Sequence, residues 1–403
     1  MHPARPRHQA ITKQRGAALI VMLVIMVMGI AAALVNSLSI TALKTARQEA
    51  TTAALAEAKE ALISYALSSE NAGGATARPG NFPCPDTDVP SPNNPNYGIG
   101  ESSCAAGAIG RLPWKTLGLP ELLDEKGEPL WYALSGNFRK SMSIINSDTR
   151  GTLQIYDRDG STLLTPSGSE AVAIVFAPGG IVGNQQRNTT ADKTAASNYL
   201  DAANGRNNAT INGPFIATDK SASFNDRLII IRARDFIPII EKRVAKELKT
   251  ILENYRAANG VYPYPAPFSS CKSIFTCDSN PNICRGRLPY TAQPVDWGGN
   301  YALPITAGAS PWFIANRWYL VIYYSAGTNR LATAPPGCST ALNISGNSAA
   351  ALFSMPGTPL GSVTRTYPNN NLPWYLEDAE NQNTDDNYIT PTSNSNDQLY
   401  ALP

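Results

Sequence analysis

From Ala17 to Leu43 the chain carries no charged side chain, a run of 27 residues. A helix needs roughly 20 apolar residues to cross a bilayer core, so the pattern predicts a transmembrane segment over 17–43. A basic leader precedes it, with Arg5, Arg7, Lys13 and Arg15, and the first charge after it is Lys44. The run is longer than the apolar core of a secretory signal. Helical spacing then continues, with Ala46, Ala50, Ala54, Ala58, Ala61, Leu62 and Tyr65 set among Arg47, Glu49, Glu57, Lys59 and Glu60. Asn71 to Gly74 supply a stop. One helix from about 17 to about 69 is expected, apolar all round in its first half and on one face in its second.

Strand patterns follow. Pro129 to Leu134, Ala171 to Phe176 and Asp226 to Ile231 read as strands, and Asp157-Arg-Asp-Gly160 reads as a hairpin turn. The order then restarts. Asp235 to Ala258 repeats apolar residues at helical spacing, including Ile239, Ile240, Val244, Leu248, Ile251, Leu252 and Tyr255, and Asn259-Gly260 ends it. Gly110-Arg-Leu-Pro-Trp114 returns as Gly286-Arg-Leu-Pro-Tyr290, and the strand at Trp131-Tyr132 returns within Trp318 to Tyr324. Gly168 to Arg187 aligns without gaps on Gly346 to Arg365, with seven identities in 20 positions. Tyr199-Leu-Asp201 matches Tyr375-Leu-Glu377, and Asn225-Asp-Arg-Leu228 matches Asn396-Asp-Gln-Leu399. The shared order predicts a duplication: a first module over 44–234 and a second over 235–403. Helix followed by mostly antiparallel strands places the chain in the α+β class.

Charge and composition narrow the function. The formal net charge is +2, and the leader 1–16 holds four of the basic side chains, so the remainder stands at −2. No basic surface for nucleic acid is implied. The basic leader is expected to stay cytoplasmic and the bulk to be exported to the periplasm, giving a single-pass inner-membrane protein. All six cysteines then lie in the exported part, where disulfides form. Cys84 and Cys104 are alone in the first module and are expected to pair. By the duplication Cys104 corresponds to Cys284 and Cys84 to Cys271, which leaves Cys277 with Cys338. Cys277–Cys284 with Cys271–Cys338 is the alternative.

The two histidines, His2 and His8, both sit in the leader. Without them Ser-His, Cys-His and His-metal chemistry is excluded. No nucleophile elbow, phosphate loop or dinucleotide motif is present, so no enzyme activity and no cofactor are expected. Asp86 and Asp88, just after Cys84, are weak calcium candidates: oxygen ligands suit the ion, but the run lacks the further acids and Gly of a full calcium loop.

Arg15-Gly16 directly before Ala17-Ala18-Leu19-Ile20 and a long apolar run resembles type IV pilins and type II secretion pseudopilins. The match covers about 50 residues. Val21 stands where most members have Glu, as in minor pilins. The resemblance implies a pilin-type headgroup after the helix. It implies cleavage after Gly16 by a prepilin peptidase, N-methylation of Ala17, and docking of the helix, Val21 included, against other pilin or pseudopilin subunits. It implies a low-copy subunit that initiates or caps a filament. The alternative is a membrane-anchored periplasmic binding or hydrolytic protein outside any filament.

Overall fold

Ala54, Leu55, Ala58, Leu62, Ile63 and Ala66 recur every three or four residues, and all six are buried. They belong to α1 (Arg15–Ser68). The computed structural model describes residues 15–68, 78–140, 144–272, 276–289, 311–327, 338–361, 363, 365, 369–390, 392 and 395–403. Within α1 it describes the side chains of Met22, Met26 and Val27 and those from 42 onward. The chain divides into two compact units, Met1–Ala53 and Ala54–Pro403, the division falling inside α1.

The second unit holds two four-stranded antiparallel sheets. β1 (Ile109–Arg111), β2 (Trp131–Leu134), β3 (Ala171–Ala177) and β4 (Arg227–Arg232) lie side by side in that order. α2 (Ala233–Asn259) follows at once. Then β5 (Arg285–Arg287), β6 (Tyr323–Ala326), β7 (Ala351–Met355) and β8 (Gln398–Leu402) repeat the same order. Even the register repeats. Arg111, Trp131, Phe176 and Leu228 stand in line across the first sheet, and Arg287, Tyr323, Ser354 and Leu399 across the second. Arg111 with Arg287, Phe176 with Ser354 and Leu228 with Leu399 are also the pairs that the internal sequence match brings together.

Sheet alternation sends neighbouring residues to opposite faces. Tyr132, Leu134 and Val175 join α1 and α2 in one core, which Tyr324, Phe353 and Leu402 enter from the second sheet. Trp131, Ile174 and Phe176 face the other way, against Tyr199 and Phe215. β3 is therefore buried along its whole length. Phe82, Phe138 and Phe236 meet edge to face at centroid distances of 5.2–6.4 Å and tie α2 to the first sheet's loops. α2 ends at Gly260, whose φ of 76° is the left-handed conformation glycine accepts. Ile239, expected on the buried face of α2, is exposed. Trp318–Leu320 forms a 3₁₀ turn rather than strand, so Tyr323 and Tyr324 take the places of Trp131 and Tyr132.

The expected α+β architecture, a transmembrane then amphipathic helix with a headgroup sheet in each of two modules, is corrected. Among the described residues no helix is long and apolar enough to cross a membrane. The single-pass inner-membrane placement, with a periplasmic bulk, falls with it. The described stretch of α1 carries Lys44, Arg47, Glu49, Glu57, Lys59 and Glu60, and its apolar face from Ala54 to Ala66 is used in the chain's own core. Among the described residues the strands are distributed over five small sheets, two four-stranded, one three-stranded and two two-stranded. One core is shared by the two halves, and each half also has a smaller cluster of its own, around Trp131 and Phe176 in the first and around Tyr323 and Leu352 in the second.

The cysteines pair as Cys84–Cys104, Cys271–Cys277 and Cys284–Cys338, with Cα separations of 5.8, 4.2 and 5.9 Å. Neither connectivity expected for the last four cysteines occurs. The bridges Asp86↔Arg111 and Ala266↔Arg287 show why. They align Phe82-Pro-Cys-Pro-Asp86 with Tyr262-Pro-Tyr-Pro-Ala266, so Tyr264, not Cys271, stands where Cys84 stands. Cys284 has lost its duplicate partner and takes Cys338. At both places the facing residue is glycine, because a Cβ on Gly110 or Gly286 would overlap the carbonyl oxygen of Asp86 or Ala266.

Candidate functional site

The residues singled out at the amino end lie in α1. The side chains of Gly16, Ala17 and Val21 are outside the described residues. The side chains described nearby face solvent: Met22, Met26, Val27 and Leu43 are 76, 65, 57 and 55% exposed. Residues 42–50 are exposed on every side of the helix.

Asp86 is completely buried beside the Cys84–Cys104 bridge. Its Oδ1 accepts the N–H of Asp88 at 2.8 Å and its Oδ2 that of Gly98 at 2.9 Å. Burial pushes its carboxyl up, opposed by those two bonds and by the nearby Arg111. Glu101, not singled out in the sequence, brings a third carboxylate, and the three come within 4.8 Å of one another. Glu101 in turn accepts from the Thr87 hydroxyl at 2.5 Å. The acids hold the disulfide loop, Asp86 through two backbone N–H groups, and the three carboxylates stand close enough together to share a cation.

A second polar constellation is present twice. In the first copy Asp201 Oδ2 accepts the N–H of Asn225 at 2.6 Å, and Asp226 Oδ2 accepts the N–H of Asp201 at 2.8 Å. In the second, Glu377 Oε2 accepts the N–H of Asn396 at 2.8 Å, and Asp397 accepts the N–H of Glu377 at 3.3 Å. Each pair thus clasps the start of the last strand of its sheet to the Tyr-Leu-acid segment. An arginine lies over the tyrosine in both copies: Arg187 over Tyr199 at 4.3 Å, and Arg365 over Tyr375 at 5.0 Å. Arg187 donates to Gly179 O at 3.0 Å and Arg365 to Gly357 O at 2.8 Å. Gly179 and Gly357 hold φ of 69° and 65°, a conformation that requires glycine in each turn.

The copies differ in what the arginine reaches. Arg187 pairs with Glu128 of its own half at 2.8 Å. Arg365, with no exposed side-chain surface, reaches Asp148 of the first half at 3.4 Å and Glu377 at 3.3 Å. Tyr375 donates its hydroxyl to Asp148 at 3.0 Å. Next to Asp148, Ser147 donates to Glu241 of α2 at 2.5 Å. Glu241 is fully buried, which pushes its carboxyl up to about 7. Burial, and then Asp397 as hydrogen-bond partner, push Glu377 up to about 8. Burial and the charge of Asp201 raise Asp226 well above the carboxylate range. A general acid must touch its substrate, and Asp148 and Glu241 are enclosed by the chain itself. The second copy is a weld between the halves.

Sequence comparison aligned these acids as matched positions, but their role depends on backbone N–H groups that only the folded chain brings to them. No family model, no curated protein and no solved structure matches the chain.

Proposed function

We propose that the chain is a minor pilin-like or pseudopilin-like subunit that docks into a filament through α1 and presents residues 54–403 as its outer surface. The observation that carries this reading is the exposed apolar set Met22, Met26, Val27 and Leu43 on a helix of 54 residues, directly after a basic leader ending in Gly16. Exposed Met and Leu on a helix gain by packing against apolar stripes of other helices, at roughly 25 cal/mol per Å² of apolar surface removed from water. The partners are other subunits of the same architecture, and the leader is removed by a prepilin peptidase. The duplicated clasps fit a presenting role, because they fix a rigid outer body and leave their acids turned inward.

Val21 sets the place in the filament. A carboxylate at this position would attract the charged amino terminus of a neighbouring helix, and valine does not. A subunit with valine here suits the end of the filament where no such neighbour stands. Gold labelling of sheared filaments tests the reading. One or a few copies at one end are expected; dense labelling along the shaft, or none on filaments, contradicts it.

A further inference from the structure

We propose that the cleft at the start of α2 is a binding site for a small oxyanion, a phosphate or carboxylate group. The cleft measures about 120 Å³ and lies where three segments meet: the loop before β3, the first residues of α2, and the loop 358–361 of the second half. Arg150, Arg232 and Arg234 line it, with Glu170 as the one acid among its lining residues. That is a formal excess of two positive charges in an enclosed volume.

Arg232 and Arg234 have no acidic side-chain partner among the described residues. Glu170 already accepts the N–H of Gly168 at 2.9 Å. Arg232 Nε is buried and has no acceptor among the described residues, and its guanidinium reaches only Leu164 O, at 3.5 Å. Arg234 is exposed and forms no hydrogen bond or ion pair with the described residues. Asp235 does not line the cleft: it accepts the N–H of Arg232 at 3.1 Å and pairs with Lys59 at 2.9 Å. Burial lowers the pKa of Arg150, opposed by the nearby charges of Glu170 and Asp148.

The shape selects the ligand. Guanidinium forks match the paired oxygens of a carboxylate or phosphate and bind them bidentately. The opening N–H groups of a 27-residue helix add positive potential from the same side. The volume admits one such group. Ser169 offers a hydroxyl in the lining. An anion here would touch both halves of the chain and so stabilise the joined state in proportion to its occupancy. The inference stands independently of the filament reading.

Titration calorimetry of the full chain with inorganic phosphate, and separately with acetate as the carboxylate probe, tests the site. Saturable binding of one equivalent is expected, with affinity at least tenfold weaker in Arg234→Glu. Arg234 is exposed, so that variant should fold as the parent does. Arg158→Glu, at a different cleft, should bind as the parent. Phosphate binding alone assigns a phosphorylated ligand, and equal acetate binding assigns a carboxylate. No saturable binding of either probe, or binding unchanged in both Arg234→Glu and Arg150→Gln, overturns the proposal.

Discussion

Replacing Arg365 by alanine is expected to destabilise the folded chain by about 3–5 kcal/mol, the range for removing one partner from a buried ion pair. The Arg365 side chain is wholly buried between Asp148 and Glu377. It also donates to the carbonyls of Pro356 at 3.0 Å and Gly357 at 2.8 Å. Alanine would leave the carboxyl groups of Asp148 and Glu377 and two carbonyl oxygens without it in a site shielded from water. The attraction lost is less important than the acids left behind. Arg187→Ala is the comparison. Its partner Glu128 is 26% exposed and can be rehydrated, so a loss of about 1–2 kcal/mol is expected there. Urea denaturation of both variants measures this. A loss below about 1 kcal/mol for Arg365→Ala would show that the weld does not hold the halves together.

Stability should fall as pH rises from about 5 to 9. Glu241, with an ordinary value of 4.5, sits at about 7 in the folded chain. Glu377, likewise 4.5 when free, sits at about 8. Both therefore bind their proton more tightly folded than unfolded. The stability they confer is complete below about 4.5 and is lost as pH rises through 7 and then 8. Glu241 is fully buried, so its share is on the order of 2–3 kcal/mol. Ser147, Arg365, the backbone of Gly357, Asp148 and Tyr400 face it, and Arg365 limits the loss without removing it. Glu241→Gln keeps the oxygen that accepts from Ser147 and cannot ionise. Melting temperatures across this range should drop less steeply in that variant, which should exceed the parent at pH 9. An identical profile in both chains would show that Glu241 does not carry the dependence.

Much of this weld was hidden in the sequence for physical reasons. The strand segments and their repetition were legible, because β3 and β7 carry runs of apolar residues and the Gly-Arg-Leu-Pro motif recurs beside each first strand. Their register could be inferred from aligned positions such as Pro178 and Pro356. The second-half disulfides were not legible, because cysteine counting weighs spacing and ignores that Tyr264 occupies the place of Cys84. Glu241 lies among charged residues in an amphipathic pattern and looks solvent-facing. Its burial follows from the loop around Ser147 folding over it, a contact 94 residues apart in the chain. The division of the described strands among several sheets left no trace in the period-two pattern, which reports which face is buried and not which strand is the neighbour.

The filament reading rests on what happens at the junction of Gly16 and Ala17, and this can be read directly. The chain would be produced in cells that contain a prepilin peptidase of matching specificity, purified, and weighed intact, with its first peptide sequenced. The account predicts a chain beginning at Ala17 and carrying a methyl group on that amino terminus. Recovery of the leader still attached, His2 included, would contradict it.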